Sequence, residues 1–214
     1  MDEIWSSFWF TVWIAGASTG LALATGVGLV VRGSKVMWQV PLAMPHLTMA
    51  VVVVTLLAPS GVLARMVYAV GGIAGPGEFP DVVQDRWGFG IILVYWLKET
   101  PFFALMAMTV LRRLSGEYDA VAATLGARRW QRLRYVTLPL LAPAMVPATL
   151  LVFGFVFASF DVPFLLGRTH PAVLSVVAQR YFVSEREVAL GISAGMGLFS
   201  AGLAGLYVRL RTEW

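Results

Sequence analysis

Five apolar segments dominate this chain, each close to or above the roughly 20 residues with which a helix crosses the hydrocarbon core of a bilayer. They cover residues 8–31, 36–58, 87–111, 140–160 and 188–208. Inside a membrane the backbone of such a segment finds no water to hydrogen-bond, so it must be helical. The sequence therefore predicts an all-α fold, a polytopic membrane bundle of about five helices that forms one domain over residues 1–214.

Composition agrees with a membrane protein and argues against several soluble classes. Hydrophobic residues make up 58% of the chain and charged residues 13%, whereas charged residues are about 25% of a soluble protein. The net charge of +4 would suggest nucleic acid as a partner of a soluble protein, but a membrane protein sorts its basic residues by side, so no nucleic-acid partner is expected. Cysteine is absent and His46 and His170 are far apart in sequence, so neither a disulfide nor a metal site is expected.

Polar residues within the apolar segments are candidates for a solute path. Lys98 and Glu99 lie near the centre of the third segment, where a charge is costly unless it is paired or faces water. Because neighbours on a helix point about 100° apart, we expect that they do not face one partner together and that at least one meets another helix or a polar cavity. A buried pair that only fixes helix packing is an equally good interpretation.

Two further polar residues have a simple and a functional interpretation. His46 follows Pro41 and Pro45, which should kink the second segment, and it either lines a path or, more simply, hydrogen-bonds between helices. Asp161, just beyond the fourth segment, either contacts a cationic solute or is merely solvated. The candidate path residues are His46, Lys98, Glu99, Thr100 and Asp161.

The polar segment 115–139 separates the third and fourth spans. Gly126 fits a helix C-terminus, because only glycine enters the left-handed conformation without a steric cost. Apolar residues recur on one face on either side of it: Val121, Ala122 and Leu125 before it, and Trp130, Leu133 and Val136 after it. The segment is predicted to form a short amphipathic helix–turn–helix.

The residue spacing around Gly126 carries a family resemblance. Ala120-Val121-Ala122 precedes the glycine, Val136 follows it by ten residues, and Leu138-Pro139 comes two and three residues later. This pattern resembles the cytoplasmic loop of the permease subunits of binding-protein-dependent ABC importers, which carries Glu-Ala-Ala, a glycine, a hydrophobic residue and Leu-Pro at these spacings. The acidic position of the pattern is Ala120 here, and Glu117 and Asp119 lie close by.

The resemblance implies that the loop couples the membrane helices to a cytoplasmic ATPase subunit, in a groove of which a short helix sits. The residues expected to serve this contact are Glu117, Asp119, Ala120, Ala122, Ala123, Leu125, Gly126, Ala127, Trp130, Leu138 and Pro139. The alternative is a basic amphipathic loop that rests on anionic membrane lipid. The spacing favours coupling, because lipid adsorption needs no particular spacing.

The resemblance also implies a function and a set of partners. The chain is expected to be the permease subunit of an ATP-driven importer, paired with a second identical or related permease, cytoplasmic ABC ATPase subunits and an extracytoplasmic solute-binding protein. ATP and magnesium would be bound by the ATPase, since no Gly-Lys-Ser/Thr occurs in this chain, which is expected to be no enzyme and to bind no cofactor itself. The segment 161–167 resembles the polyamine-type and iron-type branch of the family.

The distribution of basic residues predicts the orientation in the inner membrane. Ten of the sixteen lysines and arginines fall on the side of the loop 115–139, which makes that side cytoplasmic. The N-terminus is then expected outside and the C-terminus in the cytoplasm. The segment 8–31 is expected to be a true span and no cleaved signal, because the acidic pair Asp2 and Glu3 precedes it.

Two other functions are compatible with parts of the sequence. A proton-coupled secondary transporter would use Lys98, Glu99 and His46 as a proton relay without any ATPase. A structural membrane protein would use the basic loop to bind lipid or a scaffold. Neither accounts for the spacing of Gly126 and Leu138-Pro139.

Overall fold

Residues 2–33 and 43–212 are described by a computed structural model, apart from the side chains at 76, 114–117, 119 and 210–212. Within these ranges the chain forms helices and turns and no strand. The α-helices are α1 (Asp2–Val31), α2 (His46–Leu57), α3 (Val62–Ala69), α4 (Phe89–Thr124), α5 (Arg129–Arg132), α6 (Leu138–Ala158), α7 (Asp161–Leu166), α8 (Leu174–Ser184) and α9 (Arg186–Thr212). A 3-10 turn covers Pro76–Glu78, and a π-helical segment, Leu133–Thr137, joins α5 to α6.

Five stretches of this described part are helical, long enough and apolar enough to cross a membrane: Asp2–Val31, His46–Ala69, Phe89–Arg113, Arg129–Ala158 and Arg186–Arg209. The predicted all-α membrane bundle is therefore confirmed. The first part of the predicted second span, 36–42 with Pro41, belongs to the stretch that the structure does not describe. The short helix α3 follows α2 after a turn at 58–61 and completes the second membrane-length stretch.

The core lies between α1, α4 and α6. Helix α1 packs along α4 more extensively than any other pair of elements, and both helices pack against α6. Tyr95, Phe103 and Phe157 are among the largest fully buried side chains. Helix α9 packs mainly on α8 and is otherwise largely exposed in the single chain.

Helix α4 is longer than the third span predicted from the sequence. It contains 36 residues, which corresponds to about 54 Å at 1.5 Å per residue, whereas the hydrocarbon core is about 30 Å thick. The prediction ended the span at Leu111, where hydrophobicity falls. Hydrophobicity does not decide where a helix ends, however, and the residues after Leu111 include good helix formers such as arginine, leucine and alanine. The end of α4 therefore projects beyond the membrane-length part.

Candidate functional site

The first candidate site surrounds the start of α2. Pro45 has the extended conformation φ −58°, ψ 148° and caps the helix that begins at His46. A proline has no N–H to donate and disfavours a helical conformation in the residue before it, so Met44 and Pro45 cannot continue a regular helix into α2. The second membrane-length stretch thus begins after a non-helical point at Met44 and Pro45, which we call the break.

Lys98 and Glu99 of α4 both reach this break. The Lys98 ammonium group donates a hydrogen bond to the carbonyl oxygen of Met44, and Glu99 Oε1 lies 2.9 Å from His46 Nε2. Lys98 is only 4% exposed and Glu99 9%. The two charged residues therefore contact positions two residues apart on one neighbouring element, one on each side of the break.

These contacts decide two predictions. The expectation that at least one of the pair meets another helix is confirmed. His46 forms a hydrogen bond between helices, as its simpler interpretation predicts, and this bond is compatible with a place on a path. The expectation that Lys98 and Glu99 do not face one partner together is wrong. The two side chains diverge, as helix geometry requires, but the longer lysine reaches the carbonyl before the break while the glutamate reaches the first residue after it.

Aromatic residues surround the His46 ring. Its centroid lies 4.9 Å from that of Phe155 and 5.8 Å from that of Tyr95. The Tyr95 hydroxyl donates a hydrogen bond of 2.6 Å to Ser159 Oγ at the end of α6. Phe155 is 44% exposed and His46 is half-buried, so an imidazole and an aromatic ring share a surface that is open on the outside of the single chain.

Thr100 takes part in a different set of contacts. Its hydroxyl donates to the Trp96 carbonyl oxygen at 2.6 Å and lies 3.0 Å from Thr25 Oγ1 of α1. Trp96 Nε1 donates to the same Thr25 oxygen at 3.0 Å. Because Trp96 and Thr100 are one helical turn apart, both face α1, whereas Lys98 and Glu99 face the start of α2.

Asp161 belongs to neither set of contacts. It lies in the first turn of α7 with an exposed side chain, where the positive end of the helix dipole favours a carboxylate. The structure thus joins three of the five candidate path residues, His46, Lys98 and Glu99, at one break. It assigns Thr100 to the contact between α1 and α4.

The second candidate site is the loop around Gly126. Gly126 has φ +81°, which confirms its predicted left-handed conformation. Its N–H donates to Ala123 O at 3.0 Å, and the N–H of Ala127 donates to Ala122 O at 3.0 Å. This pair of bonds is the Schellman arrangement, which ends α4 by satisfying two of its last carbonyls. Gln131 Oε1 then accepts from the N–H of Arg128 at 2.8 Å and orders the start of α5.

The sequence predicted two separate short helices in this loop, but its two helical pieces are continuous with longer elements. The piece before Gly126 is the end of α4, and the piece after it runs through the π-helical segment into α6. The π-helical segment ends just before Pro139, which has no N–H for an ordinary helical bond, and the N–H of Leu138 donates to Leu133 O, five residues back.

Large apolar side chains are exposed on this loop. Leu125 is 82% exposed and Trp130 is 64% exposed. Of the other predicted coupling residues, Ala120, Ala123, Gly126, Leu138 and Pro139 are exposed and Ala122 and Ala127 are half-buried. For Glu117 and Asp119 the structure gives the backbone within α4 but describes no side chain. Apolar surface of this kind on a polar loop is typical of a protein–protein contact.

Sequence reasoning missed several residues at these sites. Thr25 was missed although it is a polar residue in an apolar segment, and so was its contact with Trp96 and with Thr100, for which the sequence predicted a place on the solute path. Nothing in the sequence distinguishes Phe155 from other apolar residues or Met44 as a carbonyl acceptor. Across the described residues, no group of three or more His, Asp or Glu side chains is arranged to hold a metal ion.

This architecture defines a polytopic helical membrane protein. It has buried charges within the bundle, and α4 extends beyond its membrane-length part to the loop around Gly126. The chain belongs to the family of inner membrane components of binding-protein-dependent transport systems, whose model matches residues 6–210. It is therefore a multi-pass inner-membrane protein.

Individual relatives agree with this family. The chain is 29% identical over 143 residues to the inner membrane ABC transporter permease protein YnjC of Escherichia coli, an alignment that covers 65% of this chain and 26% of YnjC. It is 27% identical over 190 residues to a probable molybdenum ABC transporter permease protein of Haloferax volcanii, covering 89% of this chain and 68% of the relative. The chain thus spans about a quarter of the length of the first relative and two thirds of the second.

A solved structure shares the fold. The crystal structure of a bacterial ABC transporter involved in the import of the acidic polysaccharide alginate matches with a TM-score of 0.74 and 20% sequence identity. The match covers all of this chain and 79% of the other.

Proposed function

We propose that this chain is the membrane-spanning permease subunit of an ATP-driven importer, which forms part of the solute path and couples it to a separate ATPase subunit. The family match over residues 6–210 is the observation that carries the proposal. A second permease subunit, identical or related, completes the path. A solute-binding protein delivers the solute from outside, and ATP with magnesium is bound by the ATPase.

The proposed docking element is the loop around Gly126. Leu125 and Trp130 present exposed apolar surface, and α4 extends past its membrane-length part to carry the loop away from the bilayer. Closure of the ATPase subunits would push on this loop and reorient the helices. The loop is then cytoplasmic, the N-terminus is outside, and the C-terminus is in the cytoplasm.

A pull-down with a matched control tests this docking. Leu125→Glu adds a charge to the proposed docking surface, while Val183→Glu adds the same charge to a residue of α8 that is 83% exposed. ATPase should copurify with the wild type and the Val183 variant and be lost from the Leu125 variant. Absence of any ATPase from the intact wild-type chain would overturn the proposed function.

For the solute path we propose the surface that His46 shares with Phe155, with Asp161 as a further contact. Lys98, Glu99 and Thr100 are buried between helices and would act on the path through their contacts. Alkylation of a cysteine at Phe155 in the assembled complex tests this surface. Its rate should change when ATP is added, whereas a cysteine at Leu198, which is 74% exposed on α9, should react at the same rate in both states.

For the solute class we propose the polyamine-type and iron-type branch, on the resemblance of the segment 161–167. The Haloferax relative is named for molybdenum instead. Uptake of labelled spermidine, ferric iron and molybdate by cells with and without the gene distinguishes these solutes. Gene-dependent uptake of molybdate alone would contradict this branch.

The contact of half-buried His46 with Glu99, next to the buried Lys98, is the observation that favours a proton-coupled transporter. The family match argues against that function, and against a structural protein, because the family consists of components of binding-protein-dependent systems. An uncoupler distinguishes the two mechanisms. Uptake driven by ATP persists when the proton gradient is collapsed and ATP is held constant.

A further inference from the structure

The break at Met44 and Pro45 lies at a depth where an irregular backbone needs internal partners. Its contacts on α4, Lys98 and Glu99, lie within three residues of the middle of the membrane-length stretch Phe89–Arg113. In the hydrocarbon region a carbonyl without a partner is costly, and irregular backbone persists only where protein groups satisfy it. Lys98 satisfies the Met44 carbonyl directly.

Both sides of the break are held by adjacent residues of one helix. Lys98 binds the residue before Pro45, and Glu99 binds the residue after it. The break cannot slide along α4 without losing both contacts. Pro45 is extended and has no N–H to donate, so no helical hydrogen bond runs from it back across the break, and the only bond it makes in α2 is the one its carbonyl accepts from the N–H of Met49 at 3.1 Å. The direction of the chain before Pro45 can therefore change.

We propose that Lys98 and Glu99 are positioning residues that fix this break to α4 as a stationary pivot, which remains closed while the helices of the importer reorient. We call the four residues Met44, His46, Lys98 and Glu99 the second-span anchor. The proposal rests on the proposed function, since it assigns a place about which the ATP-driven motion turns. It differs from a packing role, in which the contacts matter only for folding.

Paired substitutions separate the anchor from a packing role. Lys98→Leu/Glu99→Leu removes both charges and both contacts together, so neither charge is left without its neighbour, and such apolar replacements of buried pairs often fold well. Lys98→Gln/Glu99→Gln also removes both charges but keeps a donor and an acceptor. The readout is ATP hydrolysis per assembled complex of permease and ATPase in nanodiscs, measured beside the melting temperature.

If the second-span anchor is a pivot, the Lys98→Leu/Glu99→Leu variant should assemble with the ATPase but hydrolyse ATP more slowly, by roughly fivefold or more. Roughly fivefold is the lower limit of typical coupling between sites. The Lys98→Gln/Glu99→Gln variant should hydrolyse ATP at most of the wild-type rate. Thr11→Val serves as a control, because it removes a buried polar contact elsewhere and should lower the melting temperature without slowing hydrolysis by assembled complexes. If the assembled Lys98→Leu/Glu99→Leu variant hydrolyses ATP at the wild-type rate, the proposed pivot is wrong, while the proposed function is unaffected.

A cross-link tests whether the anchor stays closed. The chain contains no cysteine, so His46→Cys/Glu99→Cys introduces its only thiols, and the wild-type complex treated with the same reagent controls for thiols of the other subunits. Without a cross-link this variant should hydrolyse ATP slowly, and a short bifunctional thiol reagent should restore the rate. Loss of the remaining hydrolysis on cross-linking would show that the contact must open during the cycle and would contradict a stationary pivot. If no ATPase copurifies with the wild type, both the proposed function and the proposed pivot are wrong.

Discussion

Gly26 of α1 lies against the backbone of Thr100 in α4, so closely that a Cβ atom on Gly26 would be 2.7 Å from the Thr100 carbonyl oxygen. The same Cβ would lie 2.8 Å from Phe103 Cβ. Small residues at such positions let membrane helices approach each other closely. The contact between α1 and α4 therefore depends on the absence of a side chain at residue 26.

We expect Gly26→Ala to push these two helices apart and to lower the free energy of unfolding by about 1–3 kcal/mol, as overpacking typically does. Gly28→Ala is the matched control, because its Cβ would have no neighbour within 4 Å. Thermal unfolding of the purified chain in detergent measures both. Equal melting temperatures for the two variants would contradict the close contact.

A second prediction concerns Thr11, whose hydroxyl oxygen accepts a buried hydrogen bond of 2.9 Å from the N–H of Leu174 at the start of α8. Thr11→Val leaves this N–H without a partner, which should destabilise the protein by about 1–3 kcal/mol. Thr11→Ser keeps the hydroxyl and should lose less. Unfolding in a denaturant series compares the three proteins, and a serine variant as unstable as the valine variant would point to lost packing instead.

The left-handed conformation of Gly126 gives a third prediction. A β-branched residue at φ +81° is strained by at least about 1–2 kcal/mol, so Gly126→Val should disorder the turn and weaken copurification of an ATPase. Asparagine tolerates this conformation better, so Gly126→Asn should bind more ATPase than the valine variant. Gly20→Val, at a helical glycine with open space around it, controls for added bulk. The reverse order of the two Gly126 variants would show that the backbone conformation is not what matters.

A fourth prediction concerns the hydrogen bond from Trp96 to Thr25. A double-mutant cycle with Trp96→Phe and Thr25→Val should give a coupling free energy of about 0.6 kcal/mol, the average for side-chain hydrogen bonds between membrane helices. Unfolding free energies of the wild type, both single variants and the double variant supply the cycle. Strictly additive effects would mean that the bond contributes no stability.

The sequence predicted those features that depend on local chemistry. Runs of apolar residues set the number of membrane-length stretches, and the conformational freedom of glycine set the turn at Gly126. The charges of Lys98 and Glu99 required partners, which the structure supplies. Each of these follows from a property of the residues themselves or of their near neighbours.

Other features depend on where distant residues meet, and the sequence did not predict them. That Lys98 binds the Met44 carbonyl depends on the relative position of α4 and the break, which no local pattern encodes. The end of α4 was misplaced because hydrophobicity ends with the membrane, whereas a helix ends where its hydrogen bonds are capped. The capping bonds at Gly126 supply that end 13 residues beyond Arg113.

The length of α4 has a mechanical consequence. Pro101 removes one backbone hydrogen bond near the point where the helix meets the start of α2, and an unbroken helical arm leads from there to Thr124. This arm is about 35 Å long, so a tilt of only about 5° at the proline moves its tip by roughly 3 Å. In this geometry α4 acts as a lever whose long arm crosses half of the membrane-length stretch and then projects beyond it. A large displacement at the loop therefore becomes a small rotation about the fixed contact at the buried charges.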